Sequence, residues 1–381
     1  MNTALTTSAL QVPSFLRERG VGAVFAYTVP MRVRFRGISV REGLLLAGED
    51  REAEAGPGAG WGECAPFWNY GPAHSAQWLK SALACVAGDL PAAAPLVPVN
   101  LTVPALNGAE LEAYLECVLN RGGAGNVGQE TGEDKGQGSE AAGGNVGQSE
   151  YRAVKIKVAQ AGQELAHDVA RVTAVRRALP GAAIRVDANA AWDAAQAVVA
   201  LAAINEAAGG LEYCEQPCPS VAELAQVRAA RICPIAADES IRHADDPLEV
   251  ARQDAADYMV LKAAPLGGPL AAVRVAAQVG IPAIASSALD TSIGLAAGYR
   301  MASALAAAEG LAVARPAGLG TASLLAGDVV DNPLAPRGAA LWEADLPGYA
   351  EITSGVQARL TPNEDLAARW QARLESMEEY L

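Results

Sequence analysis

A short apolar stretch that carries two lysines places the strongest constraint on the fold. In Val154–Val158 the apolar side chains alternate with Lys155 and Lys157. On a β-strand this spacing directs both ammonium groups to one face, opposite the apolar residues. A buried ammonium group loses its hydration and needs an anionic partner. We therefore expect carboxylates on neighbouring elements, facing these two lysines.

Acidic residues follow three later apolar stretches, and a further lysine ends a fourth. Successive members of this series are 23 to 30 residues apart. That spacing matches one strand plus one helix, since an eight-unit barrel of roughly 250 residues has about 30 residues per unit. The carboxyl ends of parallel strands meet at one mouth, so the side chains are expected to converge there. The series is Lys157, Asp187, Glu215, Asp238 and Lys262.

Composition and charge limit the classes of partner. The 381 residues, of which 51% are hydrophobic, are enough to form a barrel and a smaller domain with a large core. The formal net charge of -14 and the pI near 4.8 disfavour nucleic acid and anionic membranes as partners. A small anionic substrate is compatible with this charge, because lysines or a metal ion act on it at contact distance.

The cysteines and the first residues predict a cytoplasmic protein. The six cysteines show no disulfide pattern, and no charged segment followed by an apolar one precedes residue 20. A zinc site at Cys214 and Cys218 is disfavoured, because the sequence has three histidines and none at a suitable spacing. We interpret these two cysteines as buried structural thiols.

Residues 1–95 predict a small α+β domain that contains a hairpin. Strand-like stretches at 21–30 and 44–47 form a hairpin, and arginine alternates with apolar residues at 31–37. These arginines either protect an exposed strand edge or face an anionic ligand, and edge protection is the favoured interpretation. The last segment, residues 316–381, is expected to return to this domain and complete it.

Residues 96–315 predict a (β/α)₈-type barrel. Strand-like and helix-like stretches alternate regularly. With the stretch that begins at Val97 counted as the first strand and 311–314 as the last, there are eight units. This number favours a barrel over an open sheet.

Residues 122–150 interrupt this alternation. They are rich in Gly, Gln, Glu and Asn, and they repeat Gly-Asn-Val-Gly-Gln at 125–129 and 144–148. With so few large apolar residues, this segment cannot bury enough apolar surface to offset the conformational entropy that it would lose on folding. We expect a flexible surface insertion with no chemistry of its own.

The three carboxylates are typical of a site for a hard divalent cation. Asp187, Glu215 and Asp238 offer oxygen only, which is the ligand type that Mg²⁺ prefers. Alternatively, each carboxylate pairs with a neighbouring basic residue. Three carboxylates in one series with lysines on both sides favour the metal site.

The lysines suggest proton transfer next to a carboxylate. A second ammonium group and a nearby dication both favour the neutral amine, so Lys155 can tune Lys157 as a base. Removal of a proton α to a metal-bound carboxylate gives an enediolate, whose charge the cation stabilises. Lys262 faces the cluster from across the mouth, either as a second acid/base or as a cation beside the intermediate.

Five motifs resemble, in order and spacing, those of the enolase superfamily in its muconate-lactonizing-enzyme-like subgroup. The resemblance covers nearly the whole chain, and it implies that residues 1–95 form an N-terminal α+β capping domain. Within the superfamily the chain is most similar to the o-succinylbenzoate synthase family of actinobacteria, as the stretches 34–43, 60–67 and 286–294 indicate. The five motifs are Lys155-x-Lys157, Asp187-x-Asn189, Glu215-Gln216-Pro217, Asp238-Glu239-Ser240 and Lys262.

The resemblance implies Mg²⁺ as the cofactor, with Mn²⁺ as a substitute, and a lysine base. It implies metal ligation by Asp187, Glu215 and Asp238, with Asn189 and Glu239 supporting these ligands. Lys157, Lys262 and Lys155 are the implied catalytic residues. The expected substrate contacts are Ser286, Ser287, Gly318, Gly320 and Arg36.

The implied reaction is dehydration of a small-molecule carboxylate, 2-succinyl-6-hydroxy-2,4-cyclohexadiene-1-carboxylate, to o-succinylbenzoate in menaquinone biosynthesis. An N-acylamino-acid racemase or dipeptide epimerase of the same superfamily is the alternative, because such enzymes use the same two lysines on opposite faces. A binding protein without catalysis is disfavoured by the intact set of lysines and carboxylates. The oligomeric state is left open.

Overall fold

The computed structural model describes most of the chain. The described residues are 4–35, 37–49, 58–121, 151–242 and 246–381. The predicted insertion at 122–150 and Arg36 lie outside them. Among the helices of the described ranges, none is both long enough and apolar enough to cross a membrane.

A four-stranded antiparallel sheet and two helices form the N-terminal part of the molecule. The predicted hairpin is present, but its strands are longer than predicted, since they include most of the arginine-bearing stretch. The first strand was not predicted. The elements are β1 (Thr6–Leu10), α1 (Ser14–Arg17), β2 (Val21–Phe35), β3 (Ile38–Gly48), β4 (Trp61–Cys64) and α2 (Pro72–Ala87), and the sheet order is β1-β2-β3-β4.

A curved parallel sheet, with helices between its strands, forms the second part. A short strand, β5 (Leu96–Pro98), precedes it. Within the described ranges the sheet has seven strands, ordered from β12 to β6 without a gap. The strands are β6 (Leu101–Val103), β7 (Ala153–Lys157), β8 (Ala183–Asp187), β9 (Leu211–Glu215), β10 (Ile235–Ala237), β11 (Tyr258–Lys262) and β12 (Ala283–Ser286). The helices are α3 (Gly108–Arg121), α4 (Leu165–Ala178), α5 (Ala194–Ala208), α6 (Val221–Ala229), α7 (Glu239–Arg242), α8 (Glu249–Arg252), α9 (Pro269–Val279) and α10 (Ser292–Ala308).

The two ends of the barrel series differ from the prediction. Val97 lies in β5, outside the parallel sheet, which begins at Leu101. Residues 311–314 form no strand, and the side chain of Val313 is half exposed. The eighth position is taken instead by Ala317 and Gly318, through parallel bridges to Val99 and Ser286.

Alternation along β7 separates the two faces of the sheet. Val154 and Ile156 are fully buried in the main apolar cluster, together with side chains of α4. Lys155 and Lys157 therefore lie on the opposite face, inside the barrel, as a period of two requires.

A small apolar layer fills the barrel interior beneath its polar mouth. Its side chains are almost completely buried and contact one another. They are Tyr213, Ala236, Val260 and Ile284. Side chains two positions later in the chain point to the same side of the sheet, so they form the next layer toward the mouth. Those residues are Glu215, Asp238, Lys262 and Ser286.

Glu63 of β4 joins the N-terminal sheet to the barrel. Its carboxylate accepts hydrogen bonds from the backbone N–H of Thr291 (3.0 Å) and of Gly294 (3.0 Å), and from the Thr291 hydroxyl (2.6 Å). Tyr27 of β2 donates its hydroxyl to the same carboxylate at 2.5 Å. An acidic group at a helix N-terminus satisfies unpaired N–H groups and interacts favourably with the helix dipole. The start of α10 is therefore fixed by the N-terminal sheet.

The C-terminal segment lies against the N-terminal sheet. It contains β13 (Ala340–Trp342), which pairs antiparallel with β5, and the helices α11 (Tyr349–Ala358) and α12 (Glu364–Ser376). Trp370 of α12 is fully buried in a cluster with residues of β2, β3 and α2. The domain boundaries after residues 95 and 315 stay predictions.

Gly294→Ala tests the junction made by Glu63. An added Cβ would lie 2.7 Å from the Asp290 Cβ and 2.8 Å from a Glu63 oxygen, so we expect a loss of about 1–3 kcal/mol in the free energy of unfolding. Gly181→Ala is the control, because its Cβ meets nothing within 4 Å. Urea unfolding of both variants measures the difference. Equal stability of the two would contradict the role given to this junction.

Candidate active site

The carboxyl ends of three neighbouring strands place Lys157, Asp187 and Glu215 at one level. Lys157 is the register partner of Asp187 on β8, and Asp187 is the partner of Glu215 on β9. Lys262 at the end of β11 is paired in the same way with Ser286. The side chains at these strand ends therefore lie close together at the mouth, as the spacing in the sequence predicted.

The lysines of β7 contact the carboxylates of the next two strands. Lys155 Nζ lies 3.0 Å from an oxygen of Glu215 and 3.6 Å from one of Asp187. Lys157 Nζ lies 3.2 Å from the same Asp187 oxygen. All four side chains are largely buried, so each ammonium group has the anionic partner that its burial requires.

A second ion-pair group surrounds Asp238, which is fully buried. Lys262 contacts one of its oxygens, and Arg242 Nε donates to the other at 2.9 Å. Arg242 also pairs with Glu239 and donates to the Tyr70 hydroxyl at 2.8 Å. Arg242 was not predicted from the sequence, although its position four residues after Asp238 was a usable signal for a helical ion pair.

Asn189 and Glu239 lie beside the carboxylates. The backbone N–H of Asn189 donates to Asp187 Oδ1 at 3.0 Å, and its side-chain amide lies 3.4 Å from Glu239 Oε1. Asn189 has a φ of 46°, a conformation that few residues other than glycine adopt and that asparagine tolerates. These contacts connect the end of β8 to the end of β10.

Gln216 was quoted in a motif but was not predicted as a site residue. Its side-chain oxygen accepts from the backbone N–H groups of Asp238 (2.9 Å) and Ser240 (3.2 Å). Its amide nitrogen donates to the Cys218 carbonyl and the Ser240 hydroxyl. The side chain is fully buried, and both its oxygen and its nitrogen make hydrogen bonds. It therefore holds the turn after Glu215 against the turn that carries Asp238.

Electrostatics at the mouth keep Lys155 charged. Burial lowers the pKa of Lys155, but the carboxylates of Glu215 and Asp187 outweigh burial and the net direction is upward. Burial raises the pKa of Glu215 to about 7. The Lys155 cation opposes this rise, whereas the nearby carboxylates of Asp187 and Asp238 add to it. A cation placed among these three carboxylates would lower the pKa of Glu215.

The three carboxylates are chemically suited to a hard divalent cation, because they are buried oxygen ligands at the ends of nearby strands. They do not form a ready-made site, because within the described ranges no group of three acidic, histidine or cysteine side chains is arranged to hold a metal ion. The three carboxylates instead contact the ammonium groups of Lys155, Lys157 and Lys262. Metal binding would require the carboxylates to exchange some of these contacts.

A cavity of about 750 Å³ opens over this mouth. Lys157, Asn189 and Glu239 line it from the barrel, and β3 and the segment 66–70 line it from the N-terminal sheet. Arg369 of α12 completes the wall. The cavity lies within the 300–1,000 Å³ that are typical of small-molecule sites.

Four of the residues predicted to contact substrate lie at the end of β12 and around the eighth position of the barrel. Ser287 Oγ donates to the Gly318 carbonyl at 3.1 Å, and a Cβ on Gly318 would come within 2.5 Å of Ser286 Oγ. A Cβ added to Gly320 would lie 3.2 Å from the carbonyl oxygen of Asn100. Ser286, Ser287, Gly318 and Gly320 are absent from the described lining of the 750 Å³ cavity, and Arg36 is outside the described residues. Their role as substrate contacts stays a prediction.

One missed residue near the mouth is Asp290. It is buried after β12, and burial raises the pKa of its carboxyl to about 6, with Glu63 adding to this rise and Arg41 and Lys262 opposing it. Its position in the stretch 286–294, next to residues that were predicted, was a usable signal.

Comparison with known proteins identifies relatives over most of the chain. The chain is 42% identical over 354 residues to an o-succinylbenzoate synthase of Thermobifida fusca, covering 92% of this chain and 94% of the relative. It is also 42% identical to an o-succinylbenzoate synthase of Mycolicibacterium smegmatis, covering 86% and 87%. The solved structure of the L-Ala-D/L-Glu epimerase of Bacillus subtilis shares the fold, with a TM-score of 0.63 and 20% identity over 85% of this chain and 95% of that one.

Family models match both parts of the molecule. The model described as enolase N-terminal domain-like matches residues 26–85, and the model described as enolase C-terminal domain-like matches residues 139–351. The second match alone covers more than half of the chain. The chain therefore belongs to the enolase superfamily.

Proposed function

We propose that this protein is an o-succinylbenzoate synthase, a hydro-lyase. It dehydrates 2-succinyl-6-hydroxy-2,4-cyclohexadiene-1-carboxylate to o-succinylbenzoate, a step of menaquinone biosynthesis. The identity of 42% to two such synthases over 86–92% of the chain supports this activity. The observation that carries the proposal is the pair of lysines, Lys157 and Lys262, on either side of the strand that ends in Glu215.

Lys157 is the proposed base. It is the catalytic lysine that lines the cavity, and its side chain keeps 12% of its surface exposed, so a bound substrate can reach it. The neutral amine takes the proton from the ring carbon that bears the carboxylate. The same group then gives this proton to the hydroxyl that leaves the adjacent carbon, and the products are the aromatic ring and water.

Lys155 and Lys262 supply fixed positive charge. The pKa of Lys155 is raised, so this lysine stays protonated beside Lys157 and favours the neutral form of its neighbour. Lys262 is 5% exposed and pairs with Asp238, which is compatible with a cation that stabilises charge on the ring during the reaction.

Enzymes of the enolase superfamily generally use a divalent metal ion. Here the ion is Mg²⁺, for which Mn²⁺ can substitute, and Asp187, Glu215 and Asp238 would hold it. Asn189 and Glu239 support these ligands through the contacts described above. When bound, the ion stabilises the negative charge that develops on the substrate carboxylate as the proton leaves.

The proposed reaction requires a divalent metal ion. Chelation should abolish turnover, and Mg²⁺ or Mn²⁺ should restore it, because the charge that develops on the carboxylate would otherwise lack its cation. Glu215→Gln should lose activity while remaining folded, as circular dichroism can verify. Asp331→Asn, at an exposed pair with Arg359, is the control and should respond to metal as the wild type does. Full turnover by metal-free protein would contradict this assignment.

Substitution of the two lysines separates a synthase from a racemase. Lys157→Ala should lose dehydration by about 10²–10⁴-fold, the usual contribution of a general acid–base group. Lys262→Arg keeps the cation but cannot deprotonate, so it should retain measurable dehydration. Lys80→Ala on α2 is the control. Steady-state assays with the cyclohexadiene substrate measure all three.

The racemase alternative predicts a different result for the same lysines. Racemisation needs a base on each face of the substrate, so Lys157 and Lys262 would both be essential. Wild-type protein incubated with an N-succinyl amino acid in D₂O provides the test. Rapid α-deuterium uptake with inversion of configuration would show racemase activity and contradict a dedicated synthase.

A further inference from the structure

The outer wall of the active-site cavity is built on helix α12. Trp68, which lines the cavity, packs on Trp370 with ring centroids 4.8 Å apart. Arg373 lies 4.6 Å from the Trp68 ring and donates hydrogen bonds to the carbonyls of Phe67 and Tyr70. The segment that carries Trp68 is therefore attached to the C-terminal helix by both stacking and hydrogen bonds.

Arg369 projects from the same helix into the cavity wall. Its guanidinium lies 5.2 Å from the Trp68 ring, which supports its flat face. Its carboxylate partner is Glu42, at 3.3 Å and 3.4 Å, which are long distances for a charged hydrogen bond. The Arg369 side chain remains 54% exposed. This cation is held in position but is only weakly neutralised.

Arg369 differs from the other basic residues of the described cavity lining, which are Arg41 and Lys157. Arg41 is 2% exposed and donates to the backbone carbonyls of Leu289 and Ala65, so its donors serve the fold. Lys157 pairs with Asp187 at the reacting end. Of these three basic residues, Arg369 is thus the one that can donate a hydrogen bond to a ligand in the cavity.

We infer that Arg369 binds the substrate carboxylate that is remote from the reacting carbon. This inference rests on the proposed function, whose substrate has one carboxylate on the ring and a second at the end of the succinyl chain. The lysines and acidic residues of the barrel mouth serve the ring carboxylate. The Arg369 guanidinium lines the same cavity beside Glu42 and Trp68, and it receives the second carboxylate in a charge-assisted hydrogen bond while giving up its long contact with Glu42.

The test compares two ligands that differ only at the remote end. o-Succinylbenzoate has the second carboxylate, and 2-butyrylbenzoate has a methyl group in its place. Calorimetry on the Mg²⁺-loaded full chain should show that Arg369→Gln weakens o-succinylbenzoate binding by about tenfold and leaves 2-butyrylbenzoate binding unchanged. In turnover assays the same variant should raise KM by about tenfold with less than a twofold change in kcat.

Three further variants keep the test decisive. Arg369→Lys keeps the charge and should retain part of the affinity for o-succinylbenzoate. Glu42→Gln removes the competing carboxylate and should leave that affinity equal to, or higher than, the wild-type value. Arg252→Gln is the matched control, because Arg252 is 57% exposed and has one carboxylate partner, Asp246, outside the cavity.

Two results would overturn the inference. Equal weakening of both ligands by Arg369→Gln would mean that the residue only supports the wall. The same loss in Glu42→Gln as in Arg369→Gln would mean that their mutual pair is what matters. Absence of wild-type turnover of the cyclohexadiene would instead overturn the proposed function. The calorimetric comparison of the two ligands would still test the role of Arg369.

Discussion

The structure depends on the pairing of buried lysines with buried carboxylates inside the barrel. Lys155 and Lys157 lie on the inner face of β7 because Val154 and Ile156 occupy the outer face, against the helices. Neither ammonium group could remain buried without an anion. Asp187, on the adjacent strand, contacts both lysines. The packing pattern of one strand thus determines the charges that its neighbours must carry.

These ion pairs fix the positions of the charged side chains more than they stabilise the fold. A buried ion pair rarely stabilises a fold relative to apolar side chains of the same size, because both charges must be dehydrated. The pairs instead hold charged groups at the mouth in defined places above the apolar layer that includes Tyr213 and Val260. Gln216 adds a neutral connection between the turns that carry Glu215 and Asp238. Metal binding would exchange some of these ammonium contacts, whereas the strands and Gln216 keep the carboxylates in place.

Much of the barrel and its mouth could be predicted, because both depend on local patterns that recur along the chain. Alternation within β7 and the spacing of the acidic residues are visible without knowledge of the fold. The eighth position could not be read in this way. Ala317 and Gly318 form bridges and not a long strand, and their partners Val99 and Ser286 are distant in sequence. Contacts between remote segments leave no periodic signal, and Arg369 was missed for the same reason.

The mouth of the barrel and the outer wall of the cavity come from different parts of the chain, yet they are fixed to each other. Glu63 holds the start of α10, and Arg41 donates to the carbonyls of Leu289 and Ala65. Leu289 has a φ of 63°, so this loop keeps an uncommon backbone conformation that its contacts with the N-terminal sheet stabilise. The loop after β12 therefore takes its shape from both sheets. A substitution in the N-terminal sheet can alter the mouth of the barrel without touching any of its lysines.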